Sequence, residues 1–449
     1  MTSRSALLVL SLAAGWLLGF DDTSPEWEAH VGSQVVKFLG EGQADGVSIA
    51  IARGGEVVYR EGFGYVDAKR GLVADTESSF PVGSLLEQLA TVAMFQLADS
   101  EKLDLDTPLV EVLPGLKLEW ETVRLRHLIE GTSGIPDFTD FAKASGPEVE
   151  VAHVLEFLAS AALETEPGTC YASSNSNLLL AVLVIEKVSG KSIGDFLEEE
   201  LFGPAEMSAT SWCDEDSPAR DAPVVVLEDG SQVDVRAVLP SEYGEARMCS
   251  NVEDLLRFRA SLDSGVLLSA RALELLTSTV RLENGETTDR AYGMDLSLLE
   301  DMRCESFGGG IGGARMHVAR FPDADMTFVL LAMGAEGSLR PLARRIARNV
   351  FGLAPLEVTD LPLDSEQRSV FIGGYYVGCD RYAVRESGER LELVPPMSES
   401  YLLRYQGHQR FLAMDDDDIS LIFELNSEGD AILFRLIYHG IETRAVRRE

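Results

Sequence analysis

The chain has 449 residues, with 38 Lys+Arg against 74 Asp+Glu and a formal net charge of −36. So acidic a chain is repelled by phosphate backbones and anionic lipid headgroups, which excludes nucleic-acid binding and polybasic membrane docking. The hydrophobic share of 45%, with 40 Gly and 17 Pro, is that of a globular protein, and the length suits about two or three domains. Only seven residues are lysines and the last is Lys191, so no mechanism can draw on a lysine in the second half.

Ala6 to Phe20 is an apolar run preceded by Arg4 and closed by Asp21-Asp22, the pattern of an export signal. It is short of the roughly 20 residues that a spanning helix needs, although an uncleaved N-terminal anchor stays open because small residues are poorly placed for cleavage. A helix is expected over Glu26–Leu39, and then a hairpin of Gly46–Ala52 with Glu56–Tyr65 around Arg53-Gly54-Gly55. Leu85 to Ser100 carries apolar residues at helical spacing, which sets Ser84 at a helix N-terminus. Further helices are expected at Leu125–Glu130, Val151–Ala161, Ser176–Ser189, Ile193–Leu201 and Val252–Ser264. Strands return at Ala314–Phe321 and Met326–Ala332, and a helix over Leu339–Phe351 closes the domain. Strands at both ends of a helical middle imply an α/β or α+β domain whose sheet is completed by its C-terminal strands.

The expected organisation is a signal or anchor over 1–20, a main domain over 21–352, a linker over 353–365 and a small antiparallel β-barrel or sandwich over 366–449. In the last of these, six short alternating strands are read between Phe371 and Tyr438. The acidic run Asp415–Asp418 lacks the spacing of a calcium-binding loop and reads as a solvated hairpin tip. The five cysteines (Cys170, Cys213, Cys249, Cys304 and Cys379) match no zinc or redox motif and read mostly as small buried hydrophobes. Cys213 with Cys249 is the candidate disulfide, and the odd count leaves at least one thiol free or paired between chains. The six histidines form no ligand pair, so no metal or other cofactor is expected.

The ordered segments Gly46–Tyr59, Phe80-Pro81-Val82-Gly83-Ser84, Lys102-Leu103-Asp104-Leu105-Asp106, Thr132-Ser133-Gly134-Ile135-Pro136, Pro167-Gly168-Thr169 and Ser174-Asn175 resemble the serine β-lactamase and penicillin-binding-protein family. Its class C β-lactamase and D-Ala-D-Ala carboxypeptidase or esterase branch is the nearest in pattern, over about residues 26–352. The resemblance implies a β-lactamase/transpeptidase-like fold, an antiparallel sheet flanked by helices with an all-helical region, followed by a small barrel. It also implies three catalytic motifs. A Ser-x-x-Lys places a base one helical turn after the nucleophile, a Tyr-x-Asn or Ser-x-Asn loop carries a proton and orients the substrate, and a strand with Lys-Thr-Gly or His-x-Gly supplies a cation.

Ser84 falls on the nucleophile, but Glu87 stands at the position of the family Lys, and no Ser-x-x-Lys occurs anywhere in the chain. The second motif reads Ser173-Ser174-Asn175, with Tyr171 on a neighbouring aromatic position suited to packing. The third reads Phe307-Gly308-Gly309-Gly310, with Phe307 in place of the cation. A carboxylate beside the hydroxyl repels an oxyanion unless it is protonated, and losing two parts of a cooperative site costs about as much as losing all of it. The residues therefore point to an exported pseudoenzyme that binds a small molecule, peptide, glycan or protein partner. The alternative is a rewired serine hydrolase in which Glu87 serves Ser84 as general base.

Overall fold

The computed structural model describes residues 25–448 except 117–119, 146–149, 214–224, 227–231, 234–247, 286, 289, 312, 336, 378–379, 397–399 and 415. The apolar run Ala6–Phe20 and Cys379 thus lie outside the described residues. Among the described residues, no helix is long and apolar enough to cross a membrane.

The N-terminal helix α1 (Pro25–Gly40) leads into β1 (Gly46–Arg53) and β2 (Glu56–Asp67), which form a hairpin about Gly54 and Gly55. Both glycines have positive φ, as a tight turn requires. A short β3 (Leu72–Val73) borders β2. The sheet is completed from the far end of the domain by β4 (Asp295–Leu299), β5 (Met302–Ile311), β6 (Ala314–Phe321) and β7 (Met326–Met333). Its order is β3-β2-β1-β7-β6-β5-β4, and all these pairings are antiparallel. β1 is buried up to its last residue and β7 along its whole length because both of their faces are covered, so they read as nearly continuous apolar runs, broken by Ser48 and Thr327, rather than alternating ones.

One face packs on α1 and on α5 (Arg340–Val350), with Val31, Val35, Ile49, Phe328 and Ile346 in the core. The other face packs on the helical region, whose centre is α2 (Leu85–Asp99). α2 holds eleven buried residues and has no β-branched run, so propensity and burial agree. Each fully buried Leu or Phe there contributes about 1.5–3 kcal/mol of transfer free energy. Against α2 lies α3 (Asn175–Ser189), started by the Ser174 hydroxyl accepting from the Ser176 N–H and ended by left-handed Gly190. α4 (Val252–Asp263) starts with the Asn251 side chain accepting from the Asp254 N–H at 2.9 Å. Ile193–Leu197 stops short of the expected Leu201, and the chain widens into a π-helical turn over Glu198–Phe202.

The C-terminal region is a closed barrel of eight antiparallel strands, not the six legible in the sequence. They are β8 (Gly373–Val377), β9 (Asp380–Ser387), β10 (Arg390–Val394), β11 (Tyr401–Gly407), β12 (Arg410–Ala413), β13 (Ile419–Leu425), β14 (Ala431–Tyr438) and β15 (Ile441–Arg447). β8 pairs with β15 to close it, which leaves no free edge. Phe371, Tyr375, Phe411, Phe423 and Phe434 fill its interior at ring spacings of 4.8–5.7 Å.

Within the acidic run, the described residues Asp416, Asp417 and Asp418 are not a solvated tip. Asp416 is buried and accepts from His439, Asp418 accepts from Arg344 of α5 at 2.6 Å, and Asp417 pairs with Arg404. Asp418 thereby ties the barrel to the main domain, while Asp416 and Asp417 are answered by His439 and Arg404 of the barrel itself.

The cysteines divide in a way their spacing did not reveal. Cys213 and Cys249 are bonded, Cys304 is a buried free thiol, and Cys170, expected to be a small buried hydrophobe, is disulfide-bonded.

Candidate functional site

Val82 and Gly83 turn the chain into α2, and Ser84 occupies the cap position with φ −63° and ψ 0°. Its hydroxyl makes no capping bond and has no hydrogen-bond partner among the described residues. β5 passes directly over it, because a Cβ at Gly309 would overlap the Ser84 Oγ and Cβ. Gly308 is needed in the same way, as a Cβ there would lie 2.8 Å from His317 Nδ1. Gly309 therefore answers a close approach of strand to helix end, whereas Gly308 and Gly310 answer the close packing of β5 on β6.

Ser84 opens onto a cleft of about 370 Å³ between the main domain and the mouth of the barrel. Glu87, Ser173, Phe307 and Gly308 line it too, whereas Gly309 and Gly310 lie alongside. Asn175 is not among the lining residues. Its backbone N–H donates to Asp137 at 2.6 Å and its side-chain amide donates to Thr139 at 2.8 Å, which turns it toward the Asp137–Thr139 segment.

Glu87, at the base position, is half-buried. Burial pushes its carboxyl above the ordinary carboxylate value, and the positive charge of Arg290 opposes this only in part. Phe307, at the cation position, is 6% exposed and packs edge-on against Phe258 with ring centroids 6.2 Å apart. It forms wall and core at once. No lysine or histidine lines the cleft among the described residues.

A cation nevertheless reaches the cleft. Arg290 precedes β4, its guanidinium lies 5.6 Å from the Tyr171 ring centre, and it is ion-paired with Asp295. Asp295 also pairs with Arg340 at the start of α5. Arg340 donates to His439 Nδ1 at 3.0 Å, so His439 presents its Nε2–H to Asp416 at 2.8 Å. A chain of charged contacts thus runs from the cleft wall into the barrel seam, where Leu298 N–H also donates to the His439 carbonyl at 2.8 Å. Tyr171 is placed by the Gly131 turn, since Ala172 N–H donates to the Gly131 carbonyl at 2.7 Å and the ring fills the space a Gly131 side chain would need.

The opposite wall belongs to the barrel. Asp380 and Tyr382 lie two apart on β9, Leu436 and Tyr438 two apart on β14, and Thr443 pairs across from Leu436. Pro395 and Pro396 complete the rim. Neither this wall nor Arg290 and Asp295 carries a local motif, so sequence reading missed them. Among the described residues, no group of three or more His, Cys, Asp or Glu is placed to hold a metal ion.

With the geometry in hand, a family model described as "Beta-lactamase" matches residues 31–350. The chain belongs to the beta-lactamase family. A penicillin-binding protein of Bacillus subtilis (strain 168) is 26% identical over 438 residues, covering 88% of this chain and 96% of the relative. A D-aminopeptidase of Gluconobacter oxydans is 23% identical over 306 residues, covering 66% of this chain and 56% of the relative. In fold, the octameric penicillin-binding protein homologue from Pyrococcus abyssi superposes with a TM-score of 0.65 at 19% identity, over 93% of this chain and 99% of that one. This beta-lactamase-family chain therefore keeps the serine, the helix end and the glycine strand of the resemblance while holding Glu and Phe where the resemblance implies a base and a cation.

Proposed function

We propose that this chain is an exported, ligand-binding member of the family that does not perform the Ser-Lys acyl transfer. The observation that carries the reading is the neighbourhood of Ser84. Its hydroxyl has no base within hydrogen-bond distance among the described residues, and the residue one turn along is a carboxyl driven toward its neutral form. A neutral carboxyl takes no proton from a hydroxyl, and an ionised one opposes the oxyanion that follows. The cleft itself persists, which is what a binding module needs. Export is supported by the apolar run Ala6–Phe20 and by the Cys213–Cys249 disulfide, which suits an oxidising compartment.

The raised pKa of Glu87 is also the one observation that favours a rewired hydrolase, since a carboxyl titrating nearer neutrality is a better-matched base. The two readings separate in a hydrolysis assay on neutral esters, amides and a chromogenic penicillin. The binding-module reading expects turnover at the level of the Ser84→Ala variant across pH 5 to 9. Turnover that depends on both Ser84 and Glu87 overturns it in favour of the hydrolase.

A further inference from the structure

We infer that the ligand of this cleft is a neutral carbohydrate. The inference rests on the binding-module reading and names the ligand class.

The charges around the cleft are matched within the protein. Arg290 is paired with Asp295 and its guanidinium faces the Tyr171 ring. Asp295 is shared with Arg340, whose other contact is His439 of the barrel. Asp380, on the far wall, has interactions of its own. Burial favours the uncharged form of Glu87. A carboxylate ligand entering here would compete with Asp295 for Arg290 and meet Asp380 across the cleft, and an ammonium ligand would meet Arg290. A formal charge on the ligand is therefore disfavoured from either side.

Hydrogen-bonding groups are nonetheless dense. Ser84 and Ser173 on one wall and Thr443 on the other present hydroxyls, and Arg290, Asp295 and Glu87 add donors and acceptors between them. Interleaved with them are three half-buried tyrosines. Tyr171 comes from the main domain, and Tyr382 and Tyr438 come from the barrel. The barrel pair is held in place, Tyr382 edge-on to Phe434 at 6.2 Å and Tyr438 against the His439 ring at 4.2 Å. Rings held by a neighbouring ring and carrying a polar tip supply rigid, amphipathic surface at low entropic cost. A sugar ring has an apolar C–H face for such a surface and an equatorial rim of hydroxyls for the polar groups. A purely apolar ligand would strand those polar groups without partners.

The test is to screen the full chain against an array of neutral, uronic-acid and sialylated glycans, and to measure affinities by calorimetry at two salt concentrations. N-acetylated alanine dipeptides with free and amidated C-termini run alongside. The expected result is binding to at least one neutral glycan, little changed by salt. It weakens about fivefold to tenfold in Tyr382→Ala and in Tyr438→Ala, while the Phe variants keep most of it. Circular dichroism on each variant separates lost binding from lost folding. The inference is overturned if no neutral glycan binds, if only acidic glycans bind, or if the dipeptides bind more tightly than any sugar. Those outcomes leave the binding-module reading standing, whereas Ser84-dependent turnover in the hydrolysis assay overturns that reading itself.

Discussion

Glu87 in the cleft and Asp416 in the domain seam are both carboxylic side chains withdrawn from water, and their environments push them in opposite directions. Burial raises Glu87, and the positive charge of Arg290 works against it only in part. Burial also acts to raise Asp416, but the His439 ring, Arg344 and the Asp418 backbone N–H outweigh it, and its carboxyl is held below the ordinary range. The partner rather than burial decides whether a carboxylate withdrawn from water is a structural anchor or a strained group. The seam is finished electrostatically. In the cleft the ion pairs are closed as well, and Glu87 alone is left to burial, which is where a ligand contributes most.

Breaking the seam has the largest expected effect. Arg344 bonds half-buried Asp418 and the Leu298 carbonyl and its charge stabilises buried Asp416, so Arg344→Met is expected to cost about 3–5 kcal/mol, read from denaturant unfolding. Next is Gly309→Ala, whose new methyl collides with Ser84. Overpacking of this kind costs about 1–3 kcal/mol, and the crystal structure of the variant should show β5 displaced from the start of α2.

The contrast between the two carboxyls sharpens in a pH series. With its folded-state pKa raised, Glu87 binds a proton more tightly in the folded than in the unfolded chain, so its contribution to stability falls as pH rises above 4.5. Glu87→Gln is therefore expected to raise Tm by a few degrees at pH 7 to 8, with the gain closing below about pH 4.5. A variant whose Tm advantage stays flat with pH would show that Glu87 is not strained. At the bottom of the scale, Lys37→Ala removes an exposed pair with Glu41, 70% and 53% exposed, and should change stability by no more than about 0.5 kcal/mol.

Much of this architecture is written locally. The helix from Leu85 and the Gly54-Gly55 hairpin carry periodicity and turn chemistry that no tertiary contact has to supply. The barrel strands β9 and β15 escaped the sequence because Asp380–Ser387 and Ile441–Arg447 are rich in charged residues on their solvent face, which hides the alternation. Ser84, Ser173 and Phe307 could be named because motif order survives in the chain. Arg290 and Asp295 could not, since their role arises only when β4 folds against α5 and the barrel closes over the cleft. Asn175 kept its motif position yet turned to Asp137, for the motif fixes a residue's place in the chain and not the partner it chooses.

The central claim is that Ser84 is not an activated nucleophile. The direct measurement is intact-protein mass spectrometry after incubation with a fluorophosphonate and, separately, with a fluorescent penicillin, beside Ser84→Ala. The account predicts unmodified protein in every sample. A stoichiometric adduct on the native chain that is absent from Ser84→Ala would contradict it.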